Sequence, residues 1–326
     1  MNKILFIIPY FGNLPQMFQL YLNTCSYNST VDWLILTDDK THFSYPKNVK
    51  VVYVSFEDIQ NKIKNFYEPS IYPQEPYKLC TYKPAYGELF REYTQGYDFW
   101  GHCDLDMIWG DIRKFYTEEV LSRYDRIGWQ GHSTLYRNTD EVNERYLKPV
   151  NGVNLFYEAC RKKNVTDFDE GGMSQIYDFY GWDYYKTVHF AHPSATKYNF
   201  ELKHLPTEEF YKNKAQIFHW DRGKLIRMYV HNNKVCKEEF MYLHLFRRIM
   251  DLKMASDSDF VILPHSIINM DYDLINANFI KKHSRNSVIR YYLRLIYDKK
   301  KIGKLKIKYI IPSLVSRVRN KFHSSK

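Results

Sequence analysis

Two aspartates separated by a single residue are the strongest chemical signal in this sequence. Asp104 and Asp106 flank Leu105 in HCDLDMIWGD, directly after an apolar and aromatic run. On an extended segment, residues two apart point to the same side, so both carboxylates can face a ligand while Leu105 faces the core. Such a pair can share one divalent cation, and the cation can bridge a diphosphate and offset the charge that grows on a leaving phosphate.

The segments around this pair form a regular pattern. In the first 112 residues, apolar strand-like runs alternate with helix-like stretches, which is typical of an α/β sheet with mostly parallel strands. We predict strands over KILFIIPY, VDWLILTDD and VKVVYVSF, and helices over LPQMFQLYLNTCSY, FEDIQNKIKNFY and YKLCTYKPAYGELFREYT. A fourth strand begins at DFWGHC and runs into the polar loop of Asp104 and Asp106. Because ligands bind outside the carboxyl ends of strands in such sheets, this position favours a binding site.

The later part of the chain has a mixed pattern. We predict a strand over RIGWQG, a helix over VNLFYEACRKK, and a further helix that opens at Gly171 and Gly172. The segment QIFHWDRGKLIRMYV is typical of a hairpin that turns at Asp221-Arg222-Gly223. There is no internal repeat, and no linker precedes about residue 270. We therefore predict one α/β domain over residues 1–280, with a mixed sheet flanked by helices, and a separate tail over residues 281–326.

Composition narrows the class of protein. Hydrophobic residues make up 44% of the 326 positions and charged residues 26%, which excludes collagen-like, low-complexity and globally disordered chains. Aromatic residues reach 17%, and their rings stack on sugars or bases but also fill ordinary cores. The five cysteines are scattered and never form a CxxC pair, so we predict no disulfide framework or zinc knuckle and a reducing compartment. The apolar run after Met1 is short and contains Pro9, so we interpret it as a buried strand instead of a signal peptide.

The positive charge of the chain lies in its tail. Residues 281–326 hold 15 of the 47 Lys and Arg residues and one acid, a net charge of +14, while the remaining 32 basic and 36 acidic residues give residues 1–280 a net charge of −4. The tail interleaves Tyr, Leu and Ile with Lys and Arg, which suits the surface of an anionic membrane. A solvated extension and an RNA-binding segment are the alternatives, and the acidic body argues against nucleic acid. No apolar run is long enough to span a membrane.

The order of these motifs resembles that of nucleotide-sugar glycosyltransferases with the GT-A fold. IPYFG ends the first strand, TDD follows the second, and a Lys-Pro helix precedes the Asp-x-Asp pair. More closely, YKLCTYKPAYGELF, YDFWGHCDLDMIWGDI and EEFMYLHLFRR are similar to segments of glycosyltransferases that build bacterial capsular or surface polysaccharides. The similarity covers about residues 1–270, so the tail lies outside it. It implies a GT-A-like, Rossmann-type mixed sheet and a nucleotide-sugar donor.

The resemblance implies two groups of residues that contact the nucleotide. The loop at the end of the first strand would lie against the base and consists of Pro9, Tyr10 and Phe11. The end of the second strand would accept hydrogen bonds from uracil or ribose and consists of Thr37, Asp38 and Asp39. Ordinary strand-end packing and helix N-capping are the alternatives for these two groups.

The resemblance also implies which residues hold the phosphates and the metal. Lys83, on the helix before the Asp-x-Asp pair, would reach the diphosphate, with Lys78 as a second choice. Asp104 and Asp106 would bind Mn²⁺ or Mg²⁺, and Asp104 would also contact the nucleotide-sugar donor. Solvated surface side chains are the alternative in each case.

Enzymes of this fold often add a histidine ligand from a late strand, and two residues qualify. His244 lies in the strand-like FMYLHLFRR and precedes Arg247 and Arg248, which could help neutralise phosphate. His219 lies in IFHWDRGKL, which is faintly similar to a His-x-x-x-Gly-Lys ligand motif. We favour His244, and a core or surface histidine is the alternative for both.

Sugar transfer also requires groups on the acceptor side. Asp169 and Glu170 precede two glycines in VTDFDEGGMSQIYDF, so one carboxylate could enter a cleft and take a proton from the acceptor hydroxyl. In an enzyme that retains configuration, the same residues would position the donor sugar, and helix N-capping is the structural alternative. Trp129, His132 and Trp182 could contact sugar rings or simply fill the core.

Taken together, these residues predict a metal-dependent glycosyltransferase. It would move a hexose, with galactose in pyranose or furanose form as the sugar that the resemblance favours, from a UDP-sugar to a surface-polysaccharide or lipid-linked glycan. The enzyme would be cytoplasmic and peripheral on the inner face of the bacterial membrane, bound through residues 281–326. A metal-dependent phosphohydrolase or nuclease and a non-catalytic RNA-binding protein are the alternative functions.

Overall fold

The computed structural model describes residues 1–68, 70–194, 199–205, 215–246, 248, 250–254 and 257–284. In this part of the chain the protein is mixed α/β, with sheets of parallel and antiparallel strands flanked by helices. The strands are β1 (Ile4–Pro9), β2 (Val31–Thr37), β3 (Val49–Tyr53), β4 (Phe99–Cys103), β5 (Met107–Trp109), β6 (Arg126–Gln130), β7 (Ser133–Arg137), β8 (Phe190–Ala191), β9 (Gln216–Asp221), β10 (Lys224–His231), β11 (Lys234–Phe240), β12 (Tyr242–His244), β13 (Asp251–Lys253), β14 (Asp259–Leu263) and β15 (Ser266–Ile268). The α-helices are Phe18–Ser26, Phe56–Phe66, Tyr86–Leu89, Arg91–Thr94, Ile112–Phe115, Glu118–Arg123, Asp140–Asn143, Leu155–Arg161, Met173–Tyr180 and Ala277–His283.

The first sheet has the order β3-β2-β1-β4-β7-β6 among the described residues. Strands β1 to β4 are mutually parallel, which confirms the prediction for the first part of the chain, and β7 and β6 add antiparallel neighbours. The apolar run of β1 is continuous because both faces of the sheet are covered. Phe6 packs in the hydrophobic core on one face and Ile7 in the core on the other.

The helix predicted over residues 77–94 is wrong in type. The chain forms a 3₁₀ segment over Pro76–Ala85, followed by the short helices Tyr86–Leu89 and Arg91–Thr94. Pro84 lies inside this stretch, and its missing N–H and its ring disrupt a regular α-helix there.

The second sheet has the order β11-β10-β9-β14-β15-β13 within the described ranges, and it contains the predicted hairpin. β9 and β10 are antiparallel, with Asp221 paired to Lys224. Arg222 and Gly223 connect them with φ values of 41° and 87°, the left-handed conformation that a two-residue hairpin turn requires. The hairpin prediction is therefore confirmed.

A small third sheet, β5-β12-β8, joins two segments that are distant in the sequence. β12 pairs antiparallel with β5, so His244 lies opposite Met107, the residue that follows Asp106. The backbone N–H of Leu245 also donates to the carbonyl of Asp106 at 2.8 Å. The sheet thus places β12 directly against the Asp-x-Asp loop.

The described chain ends just after the helix Ala277–His283, which Asn276 caps at its N-terminus. Only residues 281–284 of the predicted tail are described, so the membrane-binding prediction for the remainder lies outside the described residues. Among those residues, no helix combines the length and the apolar character needed to cross a membrane.

Candidate active site

A cleft of about 1400 Å³ opens at the carboxyl ends of β1 and β4. These strands are parallel neighbours at the point where the strand order of the first sheet changes direction, which is where α/β sheets bind ligands. The walls come from the end of β1, the 3₁₀ segment, the loop after β4, the β6–β7 turn and β12. Pockets for one small molecule are commonly about 300–1000 Å³, so this cleft has room for more than one small molecule.

The Asp-x-Asp loop has the alternation that its spacing predicts. Asp104 and Asp106 line the cleft with side-chain exposures of 34% and 29%, while Leu105 between them is 4% exposed and packs in the core. Backbone hydrogen bonds fix the loop at both ends, since the N–H of Asp104 donates to the carbonyl of His132 at 3.0 Å and the carbonyl of Asp106 accepts from the N–H of Leu245, just after β12. The two carboxylates are therefore held at the cleft surface.

His244 completes a group that fits a divalent cation. Its Nε2 lies 3.2 Å from Asp106 Oδ1 and 3.7 Å from Asp104 Oδ2, and one ligand atom from each of the three residues lies within 4.8 Å of the others. Carboxylate oxygens suit Mg²⁺ and Mn²⁺, and an added imidazole favours a transition metal such as Mn²⁺. His219 lies in the second sheet instead, where its Nε2 bonds to Asp259 Oδ1 at 2.7 Å.

Lys83 is a buried cation between two acids. Its Nζ donates to Asp104 Oδ1 and to the carbonyl of Gly131, both at 2.7 Å, and lies 3.8 Å from Asp169 Oδ2. Burial alone would lower the pKa of Lys83, but the surrounding negative charges, Asp104 first, outweigh it and hold that pKa well above its usual value. Lys83 therefore remains charged at the cleft wall.

Asp169 is a buried acid of the cleft with a strongly altered proton affinity. It lies in a π-helical turn over Phe168–Gly172, directly before the helix Met173–Tyr180, and is 6% exposed. Burial raises the pKa of Asp169 to about 7 against the opposing charge of Lys83. A carboxyl group with a pKa near neutrality can both accept and donate a proton, which is the property of a general acid or base.

Gly131 is a site residue that the sequence did not reveal. Its N–H donates to Glu170 Oε1 at 2.7 Å, and its carbonyl accepts from Lys83. A Cβ at this position would overlap Asp169 Oδ2 and lie 3.0 Å from Glu170 Oε1. Gly131 therefore allows both acids to approach the β6–β7 turn. A lone glycine after a strand carries no signal of such crowding.

Two further buried histidines, His132 and His192, adjoin the cation group. His244 Nδ1 lies 3.1 Å from His192 Nδ1, and the hydroxyl of Tyr242 bonds to His132 Nδ1 at 2.9 Å. Burial, followed by the neighbouring imidazoles, lowers the pKa of His132 well below its usual value and that of His192 to about 3, so both rings are neutral. The sequence did not identify His192, because the pairing of β5, β12 and β8 assembles this group.

The loop predicted to face a nucleobase does line the cleft. Pro9, Tyr10 and Phe11 all contribute to its wall at the end of β1. Burial and then the charge of Asp106 raise the pKa of the Tyr10 hydroxyl. An aromatic ring thus lies close to the carboxylate pair.

The acids that follow β2 accept hydrogen bonds from the backbone of the loop after β1. Asp38 Oδ1 accepts from the N–H of Gly12, and Asp39 Oδ2 accepts from the N–H of Leu14, both at 2.8 Å. Thr37, the last residue of β2, is fully buried. Neither Thr37 nor the two aspartates that follow it are among the described residues that line the cleft. Their direct contact with a nucleotide stays a prediction.

The aromatic candidates divide between the cleft and the core. Trp129 and His132 line the cleft, and the Trp129 ring contacts His204 edge-on at 5.6 Å between centroids. Trp182 packs under the guanidinium of Arg145 at 4.4 Å and lies outside the described cleft wall.

The other candidate cations bind backbone. Lys78 Nζ donates to the carbonyls of Ala159 at 2.9 Å and Asn164 at 2.8 Å, away from the described cleft wall. Arg248 lines the cleft and donates to backbone carbonyls there, while Arg247 lies outside the described residues.

The chain belongs to a family of unknown function, DUF6625, whose family model matches residues 6–271. This range contains every residue of the cleft described above and ends before the basic tail. A search of curated proteins found no match.

Proposed function

Because the family of this chain has no assigned function, we propose one from the site: a metal-dependent glycosyltransferase that moves a hexose from a UDP-sugar to an acceptor hydroxyl. The observation that carries this proposal is the convergence of Asp104, Asp106 and His244 in a cleft with room for more than one small molecule. A cation held mainly by oxygen ligands, with the buried charge of Lys83 beside it, suits a diphosphate.

The sheet supports a GT-A-like assignment. The parallel order β3-β2-β1-β4 matches the order 3-2-1-4 of nucleotide-binding doubly wound sheets, and the cleft lies at their switch point. The motif order of the sequence, with IPYFG, TDD and Asp-x-Asp at successive strand ends, supports the same fold.

The residues on the donor side have separate tasks. When bound, the cation would neutralise the diphosphate and stabilise the departing nucleotide. Asp104 and Asp106 would hold it from the loop after β4, and His244 would hold it from β12. Lys83, fixed by Asp104 and a backbone carbonyl, presents a positive charge to the phosphates. The ring of Tyr10 offers a surface for the base.

On the acceptor side, Asp169 is the residue that moves a proton. Its pKa of about 7 allows it to take the proton of the acceptor hydroxyl, so turnover should rise with pH through about 7. If the reaction retains configuration, Asp169 and Glu170 position the donor sugar instead. Trp129 lines the cleft, and its ring offers a surface on which a sugar can stack.

The acceptor class and the location rest on the resemblance and on the tail. Similar segments in transferases of bacterial capsular or surface polysaccharides support a lipid-linked glycan acceptor, and the same likeness favours galactose as the sugar. The net charge of +14 in residues 281–326 supports attachment to the inner face of an anionic membrane.

A thermal-shift panel tests this function. UDP-, GDP-, CMP- and dTDP-sugars are compared with and without Mn²⁺, with His219→Ala as a matched histidine control. We expect a stabilisation by UDP-sugars that depends on Mn²⁺ and disappears in Asp106→Asn but not in His219→Ala. No shift with any nucleotide sugar would contradict the proposal.

Two other outcomes would replace this function. Metal-dependent cleavage of phosphate esters or nucleic acid without a sugar donor would indicate the phosphohydrolase or nuclease alternative. Metal-independent RNA binding with steep salt dependence would indicate an RNA-binding protein.

A further inference from the structure

We propose that His132, His192 and His244 form a second cation site, selective for a divalent transition metal such as Zn²⁺, and that it competes with the carboxylate site for His244. One ligand atom from each histidine lies within 4.8 Å of the others, and all three residues are at least nine-tenths buried. The inference concerns metal binding alone and does not require sugar transfer.

The spacing of the imidazoles fits a tetrahedral ion. His192 Nδ1 and His244 Nδ1 are 3.1 Å apart, and their rings meet edge to face with centroids 4.9 Å apart and an interplanar angle of 69°. Two nitrogen ligands on tetrahedral zinc, at Zn–N distances of about 2.0–2.1 Å, are separated by roughly 3.3 Å. The two nitrogens are therefore already close to the separation that a shared zinc ion requires.

His132 supplies the third nitrogen. Its Nδ1 is engaged with the Tyr242 hydroxyl, while its Nε2 is buried with no hydrogen-bond partner in the described structure. When Nδ1–H donates to the tyrosine oxygen, Nε2 carries the lone pair that a metal needs. A polar partner of this kind on the far ring nitrogen commonly orients metal-binding histidines.

His244 has such a partner as well, and it can serve one site at a time. If its Nδ1 binds zinc, its Nε2–H donates to Asp106 Oδ1, which lies 3.2 Å away. If its Nε2 instead joins Asp104 and Asp106 around a cation, its Nδ1–H points to His192. A neutral imidazole cannot bind metals through both nitrogens, so the two sites exclude each other.

The site has a route for the ion and an open position. His132, His192 and His244 all line the cleft, so an ion can enter from it. Three nitrogen ligands leave a fourth tetrahedral position for water on the cleft side. Three imidazoles without a carboxylate favour zinc or cobalt over Mg²⁺, because imidazole is the softer ligand.

Cobalt spectroscopy and calorimetry on the full chain test the site. Wild-type protein with Co²⁺ should show the intense visible absorption of a tetrahedral complex, and His192→Ala and His132→Ala should lose it. We expect both variants to bind Zn²⁺ at least about tenfold more weakly than wild type, with unchanged Mn²⁺ affinity. Asp104→Asn should show the reverse pattern, and His219→Ala should match wild type.

Competition gives a second, independent readout. Saturating Zn²⁺ should weaken Mn²⁺ binding at least about tenfold in wild type. His192→Ala should need at least about tenfold more Zn²⁺ for the same effect, because only direct competition at the carboxylate site remains. Weak, octahedral-type Co²⁺ absorption in well-folded wild type, or Zn²⁺ affinity unchanged in His192→Ala, would overturn the inference even if Mn²⁺ and UDP bind as proposed. Tetrahedral Co²⁺ binding without any nucleotide binding would support it while refuting the transferase.

Discussion

Burial and charge oppose each other at Lys83 and Asp169, and a different effect dominates at each residue. At Lys83, the adjacent carboxylates outweigh burial, so the ammonium stays charged and is paired with Asp104. At Asp169, burial outweighs the attraction of Lys83, 3.8 Å away, and raises the pKa to about 7. At neutral pH the cleft therefore contains one firm ion pair and one acid that exchanges its proton easily.

The raised pKa of Asp169 should make its ionisation destabilising. The folded protein retains this proton up to about pH 7, whereas the unfolded chain releases it near 3.8, so the free energy of unfolding falls as pH rises between these values. The fall is at most about 4 kcal/mol at 1.36 kcal/mol per pKa unit. Asp169→Asn lacks this titration and should be more stable than wild type at pH 8.

Urea denaturation at pH 5 and pH 8 in metal-free buffer measures this effect. We expect the stability advantage of Asp169→Asn at pH 8 to be largely lost at pH 5, where wild-type Asp169 is protonated. An equal advantage at both pH values would show that charge burial is not the cause.

Replacing Gly131 should disturb the acids without touching the cation group directly. The methyl group of Gly131→Ala would overlap the Asp169 carboxylate, and relieving such crowding typically costs about 1–3 kcal/mol. We expect a lower melting temperature and loss of the proposed transferase turnover. Gly171→Ala is the matched control, because its nearest neighbour is a side-chain oxygen of exposed Asp167 at 3.2 Å. Equal effects of the two substitutions would contradict this explanation.

At the scale of elements, the sequence predicts the strands and turns whose formation depends on neighbouring residues in the chain. The strands β1 to β4 follow from continuous apolar runs, and the β9–β10 hairpin follows from its Arg-Gly turn. Around Pro84, helical periodicity predicts an α-helix, but the missing N–H and the ring of proline disrupt it and the chain forms a 3₁₀ segment. The β5-β12-β8 sheet could not be predicted, since pairing Met107 with His244 depends on packing between distant segments.

In the site as well, features set by neighbouring residues could be predicted, and features set by distant segments could not. The spacing of Asp104 and Asp106 predicted two carboxylates on one side, because strand geometry is local. Two other features depend on tertiary contacts and could not be predicted from local sequence patterns. They are the position of His192 beside His132 and His244, and the crowding of Asp169 and Glu170 against Gly131.

The hairpin turn offers a test at this scale. Arg222 has a φ of 41°, a left-handed conformation that Asn adopts more readily than Arg. Arg222→Asn should raise the free energy of unfolding by about 0.5–1 kcal/mol. In its ion pair with Asp221, the Arg222 side chain is 73% exposed and the Asp221 side chain 28%, so losing the pair should offset only part of this gain. Arg222→Lys, which keeps the charge, should bring no gain in urea denaturation, and a gain equal to that of Asn would refute the backbone explanation.

At the scale of the molecule, charge is separated between a mildly acidic body and a basic tail. The cleft contains the carboxylates that we propose to hold a cation, whereas the tail carries the excess of Lys and Arg. This separation is consistent with a tail that attaches the protein to an anionic surface without competing for the cation site.

Removing residues 285–326 should abolish membrane binding and leave cation binding unchanged, since the deletion keeps the helix Ala277–His283 intact. We expect the full chain to sediment with vesicles that contain phosphatidylglycerol and the shortened chain to stay in solution. Neither should sediment with pure phosphatidylcholine vesicles, and Mn²⁺ affinity should be unchanged. Equal sedimentation of both chains would exclude the tail as the membrane attachment.

The most direct test of the central claim is isothermal calorimetry of UDP binding, with and without Mn²⁺, to wild type and Asp106→Asn. If Asp104, Asp106 and His244 hold a cation that binds the diphosphate, wild type should bind UDP at least about tenfold more tightly with Mn²⁺, and Asp106→Asn should lose that gain. UDP affinity that is independent of Mn²⁺, or equal in wild type and Asp106→Asn, would contradict the account.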